Sequence, residues 1–288
     1  KLLFELNDAA NKNLFMQERP YNITAGEGLA FVTTNAQKGN IGGYLAWYDY
    51  DKQTTFVVVE SDKVLYLKDS DKATNTWYDA KTDAPVVFTY TDGSERNYKG
   101  PVADQIPKAI VYQDGYVYGG TGIDGGSGAD PKEGASAVLF AYDVANMKQY
   151  TFDLHTVIEG LPEIIPNIRS VVADPDVPGK FWGQVAGTLF SFTFDKATGT
   201  FHVKEELSFS KSDCYLYLNE WTGAPIYFKD GFIFADLREE GFTVGEQAIR
   251  MICKDNPSEN YLLLKTNQRA FALGEDNNIY VIEQESQG

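Results

Sequence analysis

Cysteine and histidine are scarce in this chain. Its 288 residues include two of each, and the cysteines are Cys214 and Cys253. Two cysteines cannot build a disulfide scaffold or a cysteine-rich zinc site, and two histidines cannot build a multi-histidine metal centre. His155 and His202 are therefore expected to be structural or solvated. The sequence leaves open whether Cys214 and Cys253 form one bridge or remain buried thiols.

Positive charge is also in short supply, and long apolar runs are missing. The chain has 25 Lys and Arg against 41 Asp and Glu, a net charge of −16. Nucleic acids and anionic membrane surfaces attract proteins through Lys and Arg, so neither is an expected partner. No run approaches the ~20 apolar residues of a membrane helix, so no membrane insertion is expected. The chain opens at Lys1 inside a predicted strand without a signal peptide, which indicates a mature chain or an excised domain.

Helical periodicity is absent as well. The apolar residues alternate with a period of two instead of 3.6, which predicts strands. The chain is instead rich in aromatic residues, at 14%, and in glycine, with 26 residues. These residues supply a packed core and many tight turns, so the sequence predicts an all-β fold.

A unit of four short strands recurs along the chain. Each copy has an apolar strand, a turn rich in Asp, Gly and Asn, a second strand, a variable loop, a third strand ending in an aromatic residue and Asp, and a fourth strand. The copies cover residues 29–59, 109–152, 170–203 and 225–264. Unit starts about 40 to 60 residues apart are typical of four-stranded propeller blades.

The repeat predicts a single β-propeller domain over residues 1–288. Six blades are expected, with five or seven as alternatives, because residues 61–103 are either a degenerate blade or an insertion. Strands from the two termini, such as residues 2–6 and 278–281, would pair in one blade. This pairing would close the ring and leave no open sheet edge.

Two motifs of the repeat resemble those of a known group of proteins. The Asp114-Gly115 turn with the strand 116–120, and the third strand 137–143, look like the blades of secreted and surface-attached bacterial β-propeller repeat proteins. The resemblance covers most of the chain and implies an extracellular or cell-surface location. Its motifs specify strands and turns and no reaction, and propellers host hydrolases, lyases, lectin-like binders and scaffolds.

Basic residues precede the predicted inner strand in three units. In an acidic protein, cations at one opening of a channel would attract an anionic ligand such as a uronate, a sulfated sugar or a carboxylate. These residues are Lys108, Arg169 and Arg269. The alternative is that they form salt bridges with neighbouring carboxylates such as Asp104, Asp174 or Glu275.

Aromatic residues and a glycine-rich loop complete the candidate site. Trp182 and Tyr118 are candidates for stacking on sugar rings, with core packing as the alternative. The loop 119–130 contains Asp124 and Asp130, and its glycines would allow it to wrap a ligand or to serve as a flexible connection. No cofactor is expected; calcium is the open alternative, although the two carboxylates lack the spacing of a calcium loop.

The favoured function is non-catalytic binding outside the cytoplasm, with a carbohydrate or a partner protein recognised at the channel mouth. The first alternative is a polysaccharide lyase or glycosidase that acts on acidic sugars with a Tyr, His or carboxylate base. The second alternative is a structural spacer that binds no small ligand. No Gly-x-Ser-x-Gly motif occurs, so an α/β-hydrolase mechanism has no support. A monomer is expected.

Overall fold

The computed structural model describes Phe15 and residues 17–36, 41–87, 100–102, 104–123, 130–211, 226–239, 246–276 and 278–283. The chain divides into two compact units, Lys1–Thr151 and Phe152–Gly288. The described regular structure consists of antiparallel strands and two 3-10 turns, at Asp69–Asp71 and Leu154–Thr156. The predicted all-β class is confirmed.

The strands of the first unit form two antiparallel sheets, one of six strands in chain order and one in the order β10-β9-β8-β7. The strands are β1 (Gln17–Gly26), β2 (Leu29–Ala36), β3 (Leu45–Asp49), β4 (Thr54–Glu60), β5 (Lys63–Lys68), β6 (Tyr78–Asp79), β7 (Ile106–Gln113), β8 (Tyr116–Gly122), β9 (Leu139–Asp143) and β10 (Lys148–Phe152).

The strands of the second unit begin with a four-stranded sheet, β11 to β14, in chain order. In the group that follows, β15 to β19, the long β18 belongs to two sheets, because residues 260–267 pair with β17 and residues 268–273 pair with β19. The strands are β11 (Ser170–Ala173), β12 (Lys180–Val185), β13 (Thr188–Asp195), β14 (Thr200–Ser208), β15 (Tyr227–Lys229), β16 (Phe232–Asp236), β17 (Glu246–Cys253), β18 (Asn260–Leu273) and β19 (Ile279–Glu283).

The prediction of one closed propeller with six four-stranded blades is wrong. The strands form separate antiparallel sheets of unequal size, and none of the sheets closes on itself. Residues 63–68 and 78–79 form β5 and β6, which extend the first sheet to six strands. The repeat specifies neighbouring hairpins, which are local, but it does not fix how many strands join one sheet. The predicted closure involves residues 1–14, which lie outside the described residues.

Three hairpin turns have the backbone geometry that the Asp-Gly pattern predicts. The two central residues have positive φ at Glu27 and Gly28 (51° and 76°), at Asp114 and Gly115 (50° and 81°) and at Asp230 and Gly231 (50° and 81°). Positive φ at both positions defines a type I′ turn, whose twist matches that of the flanking strands. Glycine adopts this conformation without a steric penalty, which places the turns at these positions.

The aspartates that end the third strands of the repeat fold the turns that follow. The Asp49 carboxylate accepts the Lys52 N–H at 2.9 Å, that of Asp143 accepts the Asn146 N–H at 3.0 Å, and that of Asp195 accepts the Ala197 N–H at 2.9 Å. Turns are commonly stabilised by an Asp side chain that accepts a hydrogen bond from the backbone N–H of a residue two or three positions later. The recurring aromatic-Asp motif is therefore structural.

The core of the first unit lies on both faces of β3, β4 and β5. One face packs with Phe15 and Trp77. The other face packs against Ile110, Val117 and Phe140 of the second sheet. Successive strand residues point to opposite faces, so a strand that is buried on both faces needs apolar residues at consecutive positions, as these strands have.

The core of the second unit joins the two groups of strands. Trp182 and Leu189 pack with Ile233, Ala235 and Ile252. A smaller cluster around Phe234, Ile249 and Phe271 lies on the other side of β16 and β17. The hairpin β15–β16 is thereby fixed between two apolar clusters, with its turn at the surface.

Glycine in the second strand of a unit makes room for an aromatic ring. A Cβ on Gly183 would lie 2.3 Å from the ring of Phe190, its partner on β13, and one on Gly119 would lie 2.6 Å from the ring of Phe140. Both rings are buried in a close-packed core, so moving them aside would cost stability.

We expect Gly183→Ala to lower the free energy of unfolding by about 1–3 kcal/mol, the usual cost of overpacking a core. Urea unfolding of Gly183→Ala, Phe190→Leu and the double variant would measure it. The double variant should be more stable than the sum of the single changes predicts, because the smaller side chain removes the clash. Strict additivity would contradict this account of the motif.

Candidate functional site

A surface pocket of about 250 Å³ opens in the second unit beside the hairpin β15–β16. It combines aromatic rings, a proline and four charged side chains. The lining residues are Pro175, Asp176, Phe228, Lys229, Asp230, Gly231, Phe232 and Lys254. Binding sites for small molecules are concave and combine apolar walls with polar groups, and this pocket is at the polar end of that range because half of its lining residues are charged.

The type I′ turn of β15–β16 forms one wall. The Gly231 carbonyl accepts the Lys254 N–H at 2.9 Å, which ties the turn to the end of β17. On the strand before the turn, the Lys229 ammonium donates to the Gly274 and Glu275 carbonyls at 3.2 and 3.4 Å. Hydrogen bonds to Lys254 on one side and to Gly274 and Glu275 on the other therefore fix the turn and Lys229. The Asp230 side chain is exposed at the tip of the turn.

A buried carboxylate behind the pocket fixes the opposite wall. Asp174 accepts hydrogen bonds from the Trp182 indole N–H at 2.8 Å and from the Asp176 N–H at 2.9 Å. It also accepts one from the Lys254 ammonium at 3.0 Å. Burial by itself raises the pKa of the Asp174 carboxyl, but these bonds to its charged form outweigh burial and lower the pKa. Asp174 is therefore a charged anchor for Lys254.

Lys254 is held as an ammonium by two carboxylates. Its Nζ bonds to Asp174 and also to Asp176, whose side chain is largely exposed at the pocket rim. Burial lowers the pKa of Lys254, but the two carboxylates outweigh it and raise the pKa above its ordinary value. A lysine that acts as a base or forms a Schiff base needs a lowered pKa, so Lys254 is suited to donate hydrogen bonds.

The pocket can therefore hold a small polar molecule. The half-buried rings of Phe228 and Phe232 offer apolar contact. The exposed carboxylates of Asp176 and Asp230 accept hydrogen bonds, and ammonium groups donate them. Both lysines already bond to protein oxygens, and the two carboxylates of the lining balance its two ammonium groups, so the lining has no excess positive charge.

The two aromatic residues predicted from the sequence do not line this pocket. Trp182 is fully buried, with its indole N–H bonded to Asp174 and the Lys180 ammonium 4.3 Å above its ring. Tyr118 is also buried, and its ring stacks on Tyr116 at 5.9 Å. Trp182 supports the pocket wall indirectly, through Asp174.

The three predicted cations have different surroundings. Lys108 is 5% exposed, with its ammonium 5.4 Å above the Tyr21 ring, in the first unit. Arg169 lies in the second unit and is 8% exposed, and its backbone N–H donates to the Gln184 carbonyl. Arg269 lies in the part of β18 that pairs with β19, and its side chain lies outside the described residues. Asp124 also lies outside them.

The three acidic residues that the sequence offers as partners for those cations have contacts with other lysines. Asp104 lies 3.4 Å from the Lys132 ammonium, and Asp174 binds Lys254. The Glu275 carbonyl accepts a hydrogen bond from Lys229. These pairs join segments that are far apart in the chain.

Tyr112, Tyr116 and His155 have pKa shifts that do not suit a general base. Burial raises the pKa values of Tyr112 and Tyr116 to about 12, and bonds to Glu27 and Asp143 add to the effect. Burial lowers the pKa of His155, but the Pro162 carbonyl at 2.7 Å and the Asp153 carboxylate at 2.6 Å outweigh it and raise the pKa. Both ring nitrogens of His155 are thus engaged, as expected for a structural histidine.

The described residues offer no arrangement of three or more His, Cys, Asp or Glu that would hold a metal ion. Cys253 is a free thiol, and Cys214 lies outside the described residues. None of the helical segments in the described part of the chain has the length and apolar character of a membrane span.

Sequence reasoning missed Asp176, Asp230 and Lys254 as a group. Asp176 and Lys254 are 78 residues apart, and no local pattern links them. The one available signal is the Lys229-Asp230-Gly231 turn, which predicts a hairpin tip with an exposed carboxylate. It does not predict which segments meet that tip.

No protein family model and no curated protein matches this chain. Among solved structures, it is similar to a luciferin-regenerating enzyme, with 13% identity over 97% of this chain and 88% of that chain and a TM-score of 0.42. It is also similar to a protein from Lactobacillus plantarum, with 12% identity over 95% of this chain and 80% of that chain and a TM-score of 0.40. The GH43 protein BlXynB from Bacillus licheniformis is 12% identical over 88% of this chain and 40% of that chain, with a TM-score of 0.32. Scores this low assign no substrate or activity to the chain, and nothing in them supports the resemblance to bacterial surface repeat proteins.

Proposed function

We propose that this chain is a non-catalytic binding protein that recognises a small neutral carbohydrate at the pocket beside β15–β16. The observation that carries the proposal is the lining of that pocket, in which Phe228 and Phe232 lie next to the carboxylates of Asp176 and Asp230. A sugar ring offers apolar C–H faces to aromatic rings and hydroxyl groups to carboxylates. The size of the pocket, about 250 Å³, suits a ligand smaller than a drug-sized molecule.

The charge of the pocket favours a neutral sugar over the uronates and sulfated sugars that the sequence suggested. Lys254 bonds to Asp174 and Asp176, and Lys229 bonds to two backbone carbonyls. The exposed carboxylate of Asp230 would repel a second carboxylate. An anionic sugar would have to displace these internal contacts.

Binding is favoured over catalysis at this pocket because its titratable lysine is held in the charged form. The pKa of Lys254 is raised, away from the range of a general base near neutral pH. The lyase and glycosidase alternatives would need a carboxylate of the lining, Asp176 or Asp230, as the base. An extracellular or cell-surface location stays a prediction from the sequence.

The test compares wild type with Asp230→Asn in calorimetric titrations with neutral mono- and disaccharides and with uronates. Asparagine tolerates positive φ, so Asp230→Asn keeps the turn and removes the charge. The matched control is Asp114→Asn, because Asp114 has the same φ in the same type of turn in the first unit. We expect saturable binding of a neutral sugar that weakens at least tenfold in Asp230→Asn and is unchanged in Asp114→Asn.

Three outcomes would overturn the proposal. Absence of binding by any sugar would favour the structural spacer, and equal binding by both variants would place the ligand elsewhere. Turnover of a sugar polymer by wild type would support the enzyme alternative. A melting temperature close to that of wild type in both variants would exclude unfolding as the cause of lost binding.

A further inference from the structure

The first half of β18 is a strand edge with apolar side chains in solvent. Residues 260–267 pair with β17, whereas β19 pairs with residues 268–273. Within the described residues, no strand pairs with the other edge of residues 260–267. Three consecutive side chains are exposed here, with 50% of Tyr261, 46% of Leu262 and 41% of Leu263 accessible to solvent.

Another outer strand of the second unit has a different surface. β14 is the last strand of its sheet and carries Lys204, Glu205 and Glu206, with the Lys204 ammonium 2.6 Å from the Glu206 carboxylate. Charged side chains on an edge strand prevent it from pairing with another chain. The centre of residues 260–267 carries no charged side chain, and no described strand pairs with its outer edge, so among the described residues its backbone can accept an added strand.

Charges flank the apolar stretch symmetrically. Glu259, which directly precedes β18 and accepts a hydrogen bond from the Tyr261 hydroxyl at 3.3 Å, lies three residues before Leu262, and Lys265 lies three residues after it. In an antiparallel pair of two copies centred on Leu262, each Glu259 would face Lys265 of the other copy, and each Tyr261 would face Leu263. In a parallel pair in the same register, like charges would face each other. Opposite charges and apolar side chains in facing positions stabilise an antiparallel pair.

We propose that this edge is the interface of a homodimer in which two copies of β18 pair antiparallel about Leu262. The pairing is isologous, because the same residues of both copies form it. It replaces the monomer expected from the sequence. A register shift between Ile249 and Arg250 leaves Leu263 without a partner on β17, and such a bulge increases the local twist of the strand. The interface is therefore short, and the dimer forms in a concentration-dependent way.

Sedimentation over a concentration series tests the dimer with Leu262→Lys and a matched control. Val177→Lys introduces the same charge at an apolar side chain of similar exposure, 47%, in the loop before β12. We expect the mass of wild type to rise toward that of two chains with concentration. The dissociation constant should increase at least tenfold in Leu262→Lys and stay unchanged in Val177→Lys. A wild type that is monomeric up to about 0.5 mM would overturn the proposal.

A charge exchange tests the antiparallel register. Glu259→Lys places lysine opposite lysine and should weaken the dimer, whereas the double variant Glu259→Lys/Lys265→Glu restores opposite charges and should recover it. Dimerisation that Leu262→Lys leaves intact, or that the double variant fails to recover, would overturn the proposed pairing. Each variant should melt within a few degrees of wild type, because the changed side chains are exposed.

Discussion

Replacing Asp174 by alanine should cost about 3 kcal/mol in the free energy of unfolding of the second unit. The change removes the acceptor for the buried Trp182 indole N–H, for a backbone N–H and for the Lys254 ammonium. A buried donor without a partner loses its hydration and gains nothing in return. The cost lies at the lower end of the range for breaking a buried ion pair, because Lys254 retains Asp176.

Urea unfolding followed by circular dichroism would measure this effect against Asp276→Ala. Asp276 also accepts a backbone N–H and a side-chain donor, from Asn278 and Tyr280, but it is exposed. Its loss should destabilise the second unit much less than the loss of Asp174 does. Equal destabilisation by the two changes would mean that burial of the Asp174 network does not stabilise the second unit. Because Asp174 also holds Lys254, its loss should widen the pocket.

Acid should unfold the chain cooperatively as the pH falls below about 4. Burial raises the pKa values of the Asp49 and Asp143 carboxyls, but hydrogen bonds from the turn N–H groups outweigh it, and both values fall below the ordinary 3.8. Asp174 shifts in the same direction. A carboxyl with a lowered pKa stabilises the fold at pH values above its unfolded pKa. That stability is lost as the pH falls through the folded pKa.

The pH dependence of the stability of one variant distinguishes protonation of these carboxyls from general repulsion between like charges as the cause of acid unfolding. Asp143→Asn should be less stable than wild type at pH 7, and the difference should shrink as the pH falls through the lowered folded pKa of Asp143, where wild type also loses the charge. Urea unfolding at several pH values would measure the difference. A difference that stays constant over this range would contradict the assignment. His155 acts in the opposite sense: its raised pKa stabilises the fold below 6.5, and this contribution is lost as the pH rises through its folded pKa.

One polar arrangement repeats in the structure although the sequence gives no obvious sign of it. In the first unit, Thr34 donates to Gln17 and accepts the Tyr44 N–H, while Thr121 donates to Gln105 and accepts the Val138 N–H. Each threonine lies on the second of three successive strands, β2 or β8, and bonds to residues in or next to the strands on either side. Short polar residues at strand ends carry no distinctive periodicity, so the pattern is visible only when the atoms are in place.

The sequence by itself determined the strands and their turns. Alternating apolar residues placed strands such as β7, β8 and β13, and Asp-Gly pairs placed the type I′ turns at Asp114 and Asp230. These features depend on residues close together in the chain, so local sterics and hydrogen bonds specify them. The same holds for the aspartates that cap the turns after the third strands.

Only the tertiary structure decided how the strands join into sheets and what surrounds each charged side chain. The repeat did not reveal that the first sheet would gain two further strands, and it did not reveal the burial of Lys108 and Arg169. The pocket depends on Asp176 and Lys254, which packing brings together across 78 residues. Such contacts follow from the packing of whole sheets, and no short segment of sequence carries that information.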